Sequence, residues 1–203
     1  RALEKKSMLQ FILASQSPRR QQLLRQIGIA DFEIIVPDAD ETYDPALSPE
    51  QIVSSISRKK AEAVRPLAKD ALVIAADTMV FLDGLRLGKP KTQEEAREML
   101  TALSGRTHHV CTGVTVCRGP QVFTESETTS VTFRPLTGWE IARYVLTGEP
   151  MDKAGSYGVQ GLGALFVEHI DGDYFNVMGL PLCRLGRMLK RFGVDPFFRE
   201  EDQ

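Results

Sequence analysis

Residues 71–82 read Ala71-Leu72-Val73-Ile74-Ala75-Ala76-Asp77-Thr78-Met79-Val80-Phe81-Leu82. An unbroken apolar run such as 71–76 is the mark of a strand buried on both faces. A sheet built around such a strand needs cover on each side, and helices are the usual cover. The run passes through Asp77-Thr78 and continues to a hairpin turn at Asp83-Gly84. Asp77 therefore sits at the end of a buried strand. A carboxylate there must meet a cation, a metal or a hydrogen-bond network. In open α/β sheets such strand ends are where ligands bind.

Upstream lies Phe11-Ile12-Leu13-Ala14-Ser15-Gln16-Ser17-Pro18-Arg19-Arg20. It predicts a strand over 9–14 and a helix over 18–27. Ser17 stands at the N-cap and Pro18 at the first helical position. Leu23, Leu24 and Ile27 form the apolar stripe, and Gly28 ends the helix. Free N–H groups, the positive end of the dipole and two arginine forks point to one place, a prospective anion site, the alternative being a helix start with two solvated arginines. A strand at 32–36 and a polar, acidic loop at 37–47 follow. Ser48, Pro49 and Gln51 then open a helix with a capping box. On that helix Ile52, Val53, Ile56, Ala63, Val64 and Leu67 define an apolar arc, and Lys60 falls inside it. A lysine in that arc must snorkel or meet an anion.

Downstream, Thr92 and Glu95 read as a capping box ahead of a helix that Gly105 stops. Two β-rich runs between 107 and 134 flank Gly119-Pro120 as a long hairpin. Thr137 and Glu140 cap a helix to about 147. A glycine-rich stretch at 155–163 leads to a strand at 164–170 and a turn at Asp171-Gly172-Asp173. The last helix starts at Pro181 and reaches Phe192. The expected architecture is α/β: a mixed twisted sheet with flanking helices, in two lobes around a cleft. One domain is expected over 8–196, with tails at 1–7 and 197–203.

The chain has 203 residues, 42% hydrophobic and 26% charged, with a net charge of −2. That length supports a core without disulfide or metal staples. No basic footprint for nucleic acid or an anionic membrane stands out, so any phosphate site is local. Cys111, Cys117 and Cys183 lack ligand spacing and read as small core hydrophobes in a reducing cytoplasm. His108, His109 and His169 lack zinc spacing. No apolar run reaches membrane-spanning length.

Four further groups point to chemistry. Glu41, with Asp38, Asp40 and Asp44, offers loop carboxylates suited to Mg²⁺, although an acidic loop is also simply soluble. Lys89 is restrained to extended backbone by Pro90. The glycines of 152–161 permit close approach of backbone to a ligand. Gln160 offers both donor and acceptor, as reading a base edge requires. No Walker A, G-x-G-x-x-G or G-x-S-x-G pattern is present. The set suits a phosphorylated, base-containing small molecule with a divalent ion.

With these residues the chain resembles the Maf family of nucleoside triphosphate pyrophosphatases. The matching stretches, in family order, are Leu13–Arg20, Ala76-Asp77-Thr78, Gly88-Lys89-Pro90, Leu103-Ser104-Gly105, Asp152–Gly155 through Gln160-Gly161, and Asn176–Pro181. Met178 stands where the family usually has valine. The resemblance implies a fold of the inosine triphosphate pyrophosphatase type, hydrolysis of the α–β phosphate bond, a divalent metal (Mg or Mn) and commonly a homodimer. It implies a house-cleaning role. Asp77 matches the catalytic acid. Arg19, Thr78 and Gln160 match the trio of the dTTP/UTP-preferring branch. Lys60, Lys89 and Glu41 match positions lining the phosphate and metal site, and Ser15, Ser17 and Arg20 join the substrate-binding set. Glu41 and Asp77 are the expected metal ligands, and Asp77 as base or as ligand stays open. Gly88 departs from members that carry glutamate before Lys-Pro. The alternatives are a 7-methyl-GTP pyrophosphatase and a non-catalytic nucleotide-binding regulator of septum formation.

Overall fold

The 71–82 run forms β3 (Leu72–Leu82), near the middle of a seven-stranded mixed sheet. The structure, a computed structural model, describes residues 8–198. Of the expected tails at 1–7 and 197–203, residues 1–7 and 199–203 lie outside the described residues. The other strands are β1 (Phe11–Leu13), β2 (Glu33–Ile34), β4 (Leu85–Leu87), β5 (Thr107–Arg118), β6 (Gln121–Phe133) and β7 (Val167–Asp171). Their order is β2-β1-β3-β5-β6-β7, with β4 also on β3. The pairs β2–β1 and β1–β3 are parallel, and the rest antiparallel.

The helices are α1 (Pro18–Gln26), α2 (Pro49–Val64), α3 (Gln93–Leu103), α4 (Gly138–Leu146), α5 (Tyr174–Met178) and α6 (Leu182–Lys190). Alternation along β3 divides the core. Leu72, Ile74 and Ala76 pack with Leu23, Leu24 and Leu185 of α1 and α6. Val73 and Ala75 pack with Ala61 and Val64 of α2, and Met79 and Phe81 with Ile52, Val53 and Ile56 of the same helix. Val80 and Leu82 join a third body of core with α3 and α4.

The architecture is the α/β type read from the sequence, with four local corrections. The 32–36 strand shrinks to Glu33–Ile34, because it is an edge strand paired only with β1. The Thr92–Glu95 capping box is half closed. Thr92 accepts from Glu95 N, but the Glu95 carboxylate accepts from Lys91 N at 3.0 Å, one residue early. Residues 162–165 form a 3-10 turn, so β7 starts at Val167. Asp173 is an N-cap rather than a turn residue. Its Oδ1 accepts from Phe175 N and Asn176 N and starts α5, too short for a periodic signal. Cys111 and Cys117 are buried, but Cys183 is exposed, because Leu182, Leu185, Met188 and Leu189 take the core face of α6.

Candidate active site

One edge of β3 is shared by two strands. β1 pairs with Leu72–Ile74, and β4 pairs with Val80–Leu82. Residues 75–79 keep β5 on one side and, among the described residues, have no strand on the other. Asp77 and Thr78 lie in this gap, in the middle of β3 rather than at the strand end expected from the sequence, because the strand continues to Leu82. Alternation sends Asp77 to the α2 face and Thr78 to the α1 face. A cavity of about 730 Å³ opens at this gap and takes both as lining. That volume suits a small-molecule ligand.

The α2 face supplies the charged cluster. Asp77 Oδ1 accepts from Lys60 Nζ at 2.9 Å, with the two side chains 12% and 13% exposed. Lys60 Nζ also meets Glu41 Oε1 at 3.2 Å. Lys60 thus meets an anion rather than snorkelling, and it bridges the loop carboxylate and the strand carboxylate. Asp77 Oδ2 is buried and has no hydrogen-bond partner among the described residues. A helix reaches the sheet this closely because Asp77 pairs with Gly113 across β3–β5. A Cβ at Gly113 would stand 2.2 Å from Val53 O of α2. A glycine inside a strand run is the signal for such an approach, and it passed unused in the sequence reading. The Glu41 loop is tied down beside the cluster: Lys59 Nζ donates to Thr42 O at 2.9 Å.

The α1 face is a scaffold. Arg20 donates from Nε to Gly179 O at 2.8 Å, from NH1 to Ser15 Oγ at 3.2 Å and from NH2 to Thr78 Oγ1 at 3.1 Å. Burial pushes its guanidinium down to about 10, and the Asp77 carboxylate partly offsets this. It remains charged at neutral pH. Thr78 Oγ1 is 2.8 Å from Thr112 Oγ1 as well, so its hydroxyl is largely engaged within the protein. Ser17 caps α1 and lines the cavity. Ser15 does not line it. Its buried hydroxyl accepts from Ser17 N at 3.1 Å and from Arg20, so it acts behind the wall.

The remaining cations differ in how committed they are. Lys153 donates to Glu149 O at 2.9 Å and to Asp152 at 2.7 Å. That bond, with a smaller contribution from Arg19, holds the Asp152 carboxyl below the usual range. Arg19 and Lys89 line the cavity with no side-chain partner among the hydrogen bonds and ion pairs of the described residues. Arg86, which the sequence reading did not single out, also lines it and stacks on Tyr43 of the Glu41 loop at 5.5 Å. Its signal was the alternation Leu85-Arg86-Leu87 in the short hairpin strand. The cavity thus carries more cations than carboxylates within a chain of net charge −2.

Gln160 is exposed in the cavity lining, with one long contact from Nε2 to Gln22 Oε1 at 3.5 Å. Tyr157 lines the same cavity and is backed by His108, whose Nε2 lies 2.7 Å from the phenol oxygen. Burial holds His108 down to about 4, so it is neutral and structural. Asp38, Asp40 and Asp44 do not line the cavity. Asp40 and Asp44 accept from Thr42 N and Ala46 N within their own loop. Among the described residues no three His, Cys, Asp or Glu side chains converge as a metal cluster. The donor set is the pair Asp77 and Glu41. A hard cation that shares its remaining positions with water and phosphate oxygens fits such a pair, and the free Asp77 Oδ2 is the buried oxygen it would need.

Comparison with known proteins places this geometry among relatives. The family model described as Maf-like protein matches residues 10–192. A dTTP/UTP pyrophosphatase of Bacillus pumilus (strain SAFR-032) is 52% identical over 190 residues, covering 94% of this chain and 100% of that protein. A dTTP/UTP pyrophosphatase of Bacillus cereus (strain AH820) is 50% identical over 188 residues, covering 93% and 98%. Among solved structures, a HAM1 protein from Coxiella burnetii superposes with a TM-score of 0.50 at 16% identity, covering 91% of this chain and 100% of that one. The last likeness shows the fold alone. No described helix is long and apolar enough to cross a membrane.

Proposed function

The chain belongs to the Maf-like protein family, and on that premise we propose that it is a nucleoside triphosphate pyrophosphatase acting on dTTP and UTP. The products are the nucleoside monophosphate and pyrophosphate, and modified pyrimidine nucleotides with the same base edge are included. The observation that carries this reading is the buried Asp77–Lys60 pair, whose two residues line a cation-rich, nucleotide-sized cavity. Relatives about half identical over nearly their full length bear the same activity in their names.

Water attacks the α-phosphorus, an oxygen–phosphorus bond forms, and the bond to the bridging α–β oxygen breaks with pyrophosphate leaving. Asp77 is the carboxylate that takes the proton of the attacking water, as a general base within reach of it must. Lys60 holds its Oδ1 and keeps it oriented. Arg19, Lys89 and Arg86 neutralise the phosphoryl oxygens, which is most of what phosphoryl transfer asks of a protein. Arg20 keeps Thr78 and the Gly179 carbonyl in place rather than binding phosphate with its full fork. Asp77 and Glu41 would hold a divalent cation, Mg or Mn, which when bound supplies charge neutralisation and polarisation of the phosphates. Gln160 reads the base.

The nucleotide is the proposed partner. Six of the chain's basic side chains, among them Arg19, Lys60 and Lys89, line one cavity, and the proposed reading includes neither nucleic acid nor membrane as ligand. The proposed compartment is the cytoplasm, in keeping with three free cysteines, and the proposed assembly is the homodimer that the resemblance implies. Assay of pyrophosphate release from dTTP, UTP, dCTP, dATP, dGTP and 7-methyl-GTP with Mg²⁺ or Mn²⁺ tests the reading. Preferential turnover of dTTP and UTP is expected. Preference for 7-methyl-GTP refutes the pyrimidine assignment, and nucleotide binding without turnover refutes the enzyme.

A further inference from the structure

Gln160 is held by its backbone, not by its side chain. The backbone of 158–163 is in turn suspended from two residues that do not line the cavity. Glu149, which opens the 3-10 turn Glu149–Asp152, accepts at Oε1 from Leu162 N at 2.9 Å and at Oε2 from Gly163 N at 3.0 Å. The Tyr144 hydroxyl donates to the same Oε2 and accepts from Gly158 N at 3.1 Å. One carboxylate–phenol pair thus satisfies loop N–H groups on both sides of Gln160. These groups would otherwise need water or a rearranged turn. The fit is close. A Cβ at Gly161 would stand 1.7 Å from Glu149 Oε1, and one at Gly163 2.9 Å from the Tyr144 hydroxyl oxygen. The glycines of this stretch therefore serve the carboxylate behind the loop as well as any ligand in front of it. Burial, then the bond to Glu149, pushes the Tyr144 phenol up, so it keeps its proton and remains a donor.

We propose that Glu149 and Tyr144 are positioning residues for base selection, holding the 158–163 loop so that Gln160 meets the pyrimidine edge. The inference rests on the reading of Gln160 as the base-facing side chain. Base discrimination through paired polar groups is sensitive to sub-ångström placement, and Gln160 has no strong side-chain contact to restore its place if the loop shifts.

The test is a mutant cycle on the full chain with Glu149→Gln, Tyr144→Phe, Gln160→Ala and the two double variants. kcat and KM are measured for dTTP, UTP and dGTP, with a thermal melt for each protein. Glu149→Gln turns an NH₂ toward one of the N–H donors, and Tyr144→Phe removes one oxygen while keeping the ring against Phe166 at 4.8 Å. Each single variant is expected to raise KM for dTTP and UTP roughly tenfold, leave kcat within about threefold and lower the pyrimidine preference correspondingly. In the Gln160→Ala background neither is expected to lower that preference further. A stable variant with the wild-type substrate ratio, or losses that simply add to that of Gln160→Ala, overturns the proposal. If Glu149→Gln does not fold, the Tyr144→Phe arm decides. Failure of the substrate reading shows separately, in the wild-type panel. A wild type that prefers a purine moves the cycle to that nucleotide, where absence of coupling to Gln160 still overturns the positioning role.

Discussion

The two ends of the cavity are built on different principles. At the proposed phosphate end a buried strand and a packed helix aim Asp77 and Lys60 at each other, and the proposed chemistry rests on side chains locked by the core. At the proposed base end Gln160 is exposed on a glycine-rich loop, with one contact at 3.5 Å, and its place depends on main-chain bonds. The contrast separates two demands. Water attack needs a charge fixed by preorganised surroundings, whereas base choice is a difference between affinities and can be set by a loop. Substitutions at the first end should act on turnover, and those at the second on substrate ranking.

The strongest challenge to that division is Asp77→Asn. It keeps the shape and removes the basicity, so activity should fall by roughly a hundredfold or more while the fold persists. Turnover near that of the wild type, measured on a protein with an unchanged melt, would detach the phosphate end from the chemistry.

Lys60→Met sharpens the same end. From the sequence alone, the change is expected to leave stability unharmed whether Lys60 snorkels or meets phosphate. The structure reverses this, because the change strands the Asp77 carboxylate in a buried place. A stability loss of at most about 3 kcal/mol, moderated by the open cavity, should accompany a drop in kcat of roughly tenfold. Recovery of the melting temperature in the Asp77→Asn/Lys60→Met double variant would confirm that the pair is the cause, and an equal or larger loss would exclude it.

At the other end, Gln160→Glu keeps acceptors and loses the donor. The preference for pyrimidines should erode by about tenfold while kcat stays within a few-fold. A substrate ranking identical to that of the wild type would break the comparison outright.

The smallest effect concerns the wall behind Tyr157. His108 is held down to about 4 in the folded chain, below the ordinary value of about 6.5. The unfolded chain therefore binds more protons between those values, and stability falls as pH drops through that window. Between pH 7 and pH 6 the loss is below about 1 kcal/mol, or about 2 °C in Tm. His108→Gln should flatten that slope without changing kinetics at pH 7. An undiminished slope would assign it to other groups.

Much of the molecule was legible in the chain because the signals are local. Unbroken apolar runs, N-caps at Ser17, Ser48 and Thr137, and glycine stops mark elements by bonds within a few residues of themselves. Asp77 and Lys60 stood out for the same reason: a charge inside an apolar pattern is visible without knowing its partner. What required the tertiary structure was pairing at a distance. The gap on the β3 edge between β1 and β4 is a matter of register, and register joins segments that no short window contains. Arg20 and Thr78 read as ligand groups from their positions, yet they bond to each other and Arg20 also to Gly179, over separations of 58 and 159 residues, while Thr78 also meets Thr112. The role of Glu149 was beyond reach altogether. A carboxylate in a loop looks solvated in sequence, and only the folded chain shows the N–H groups that it receives.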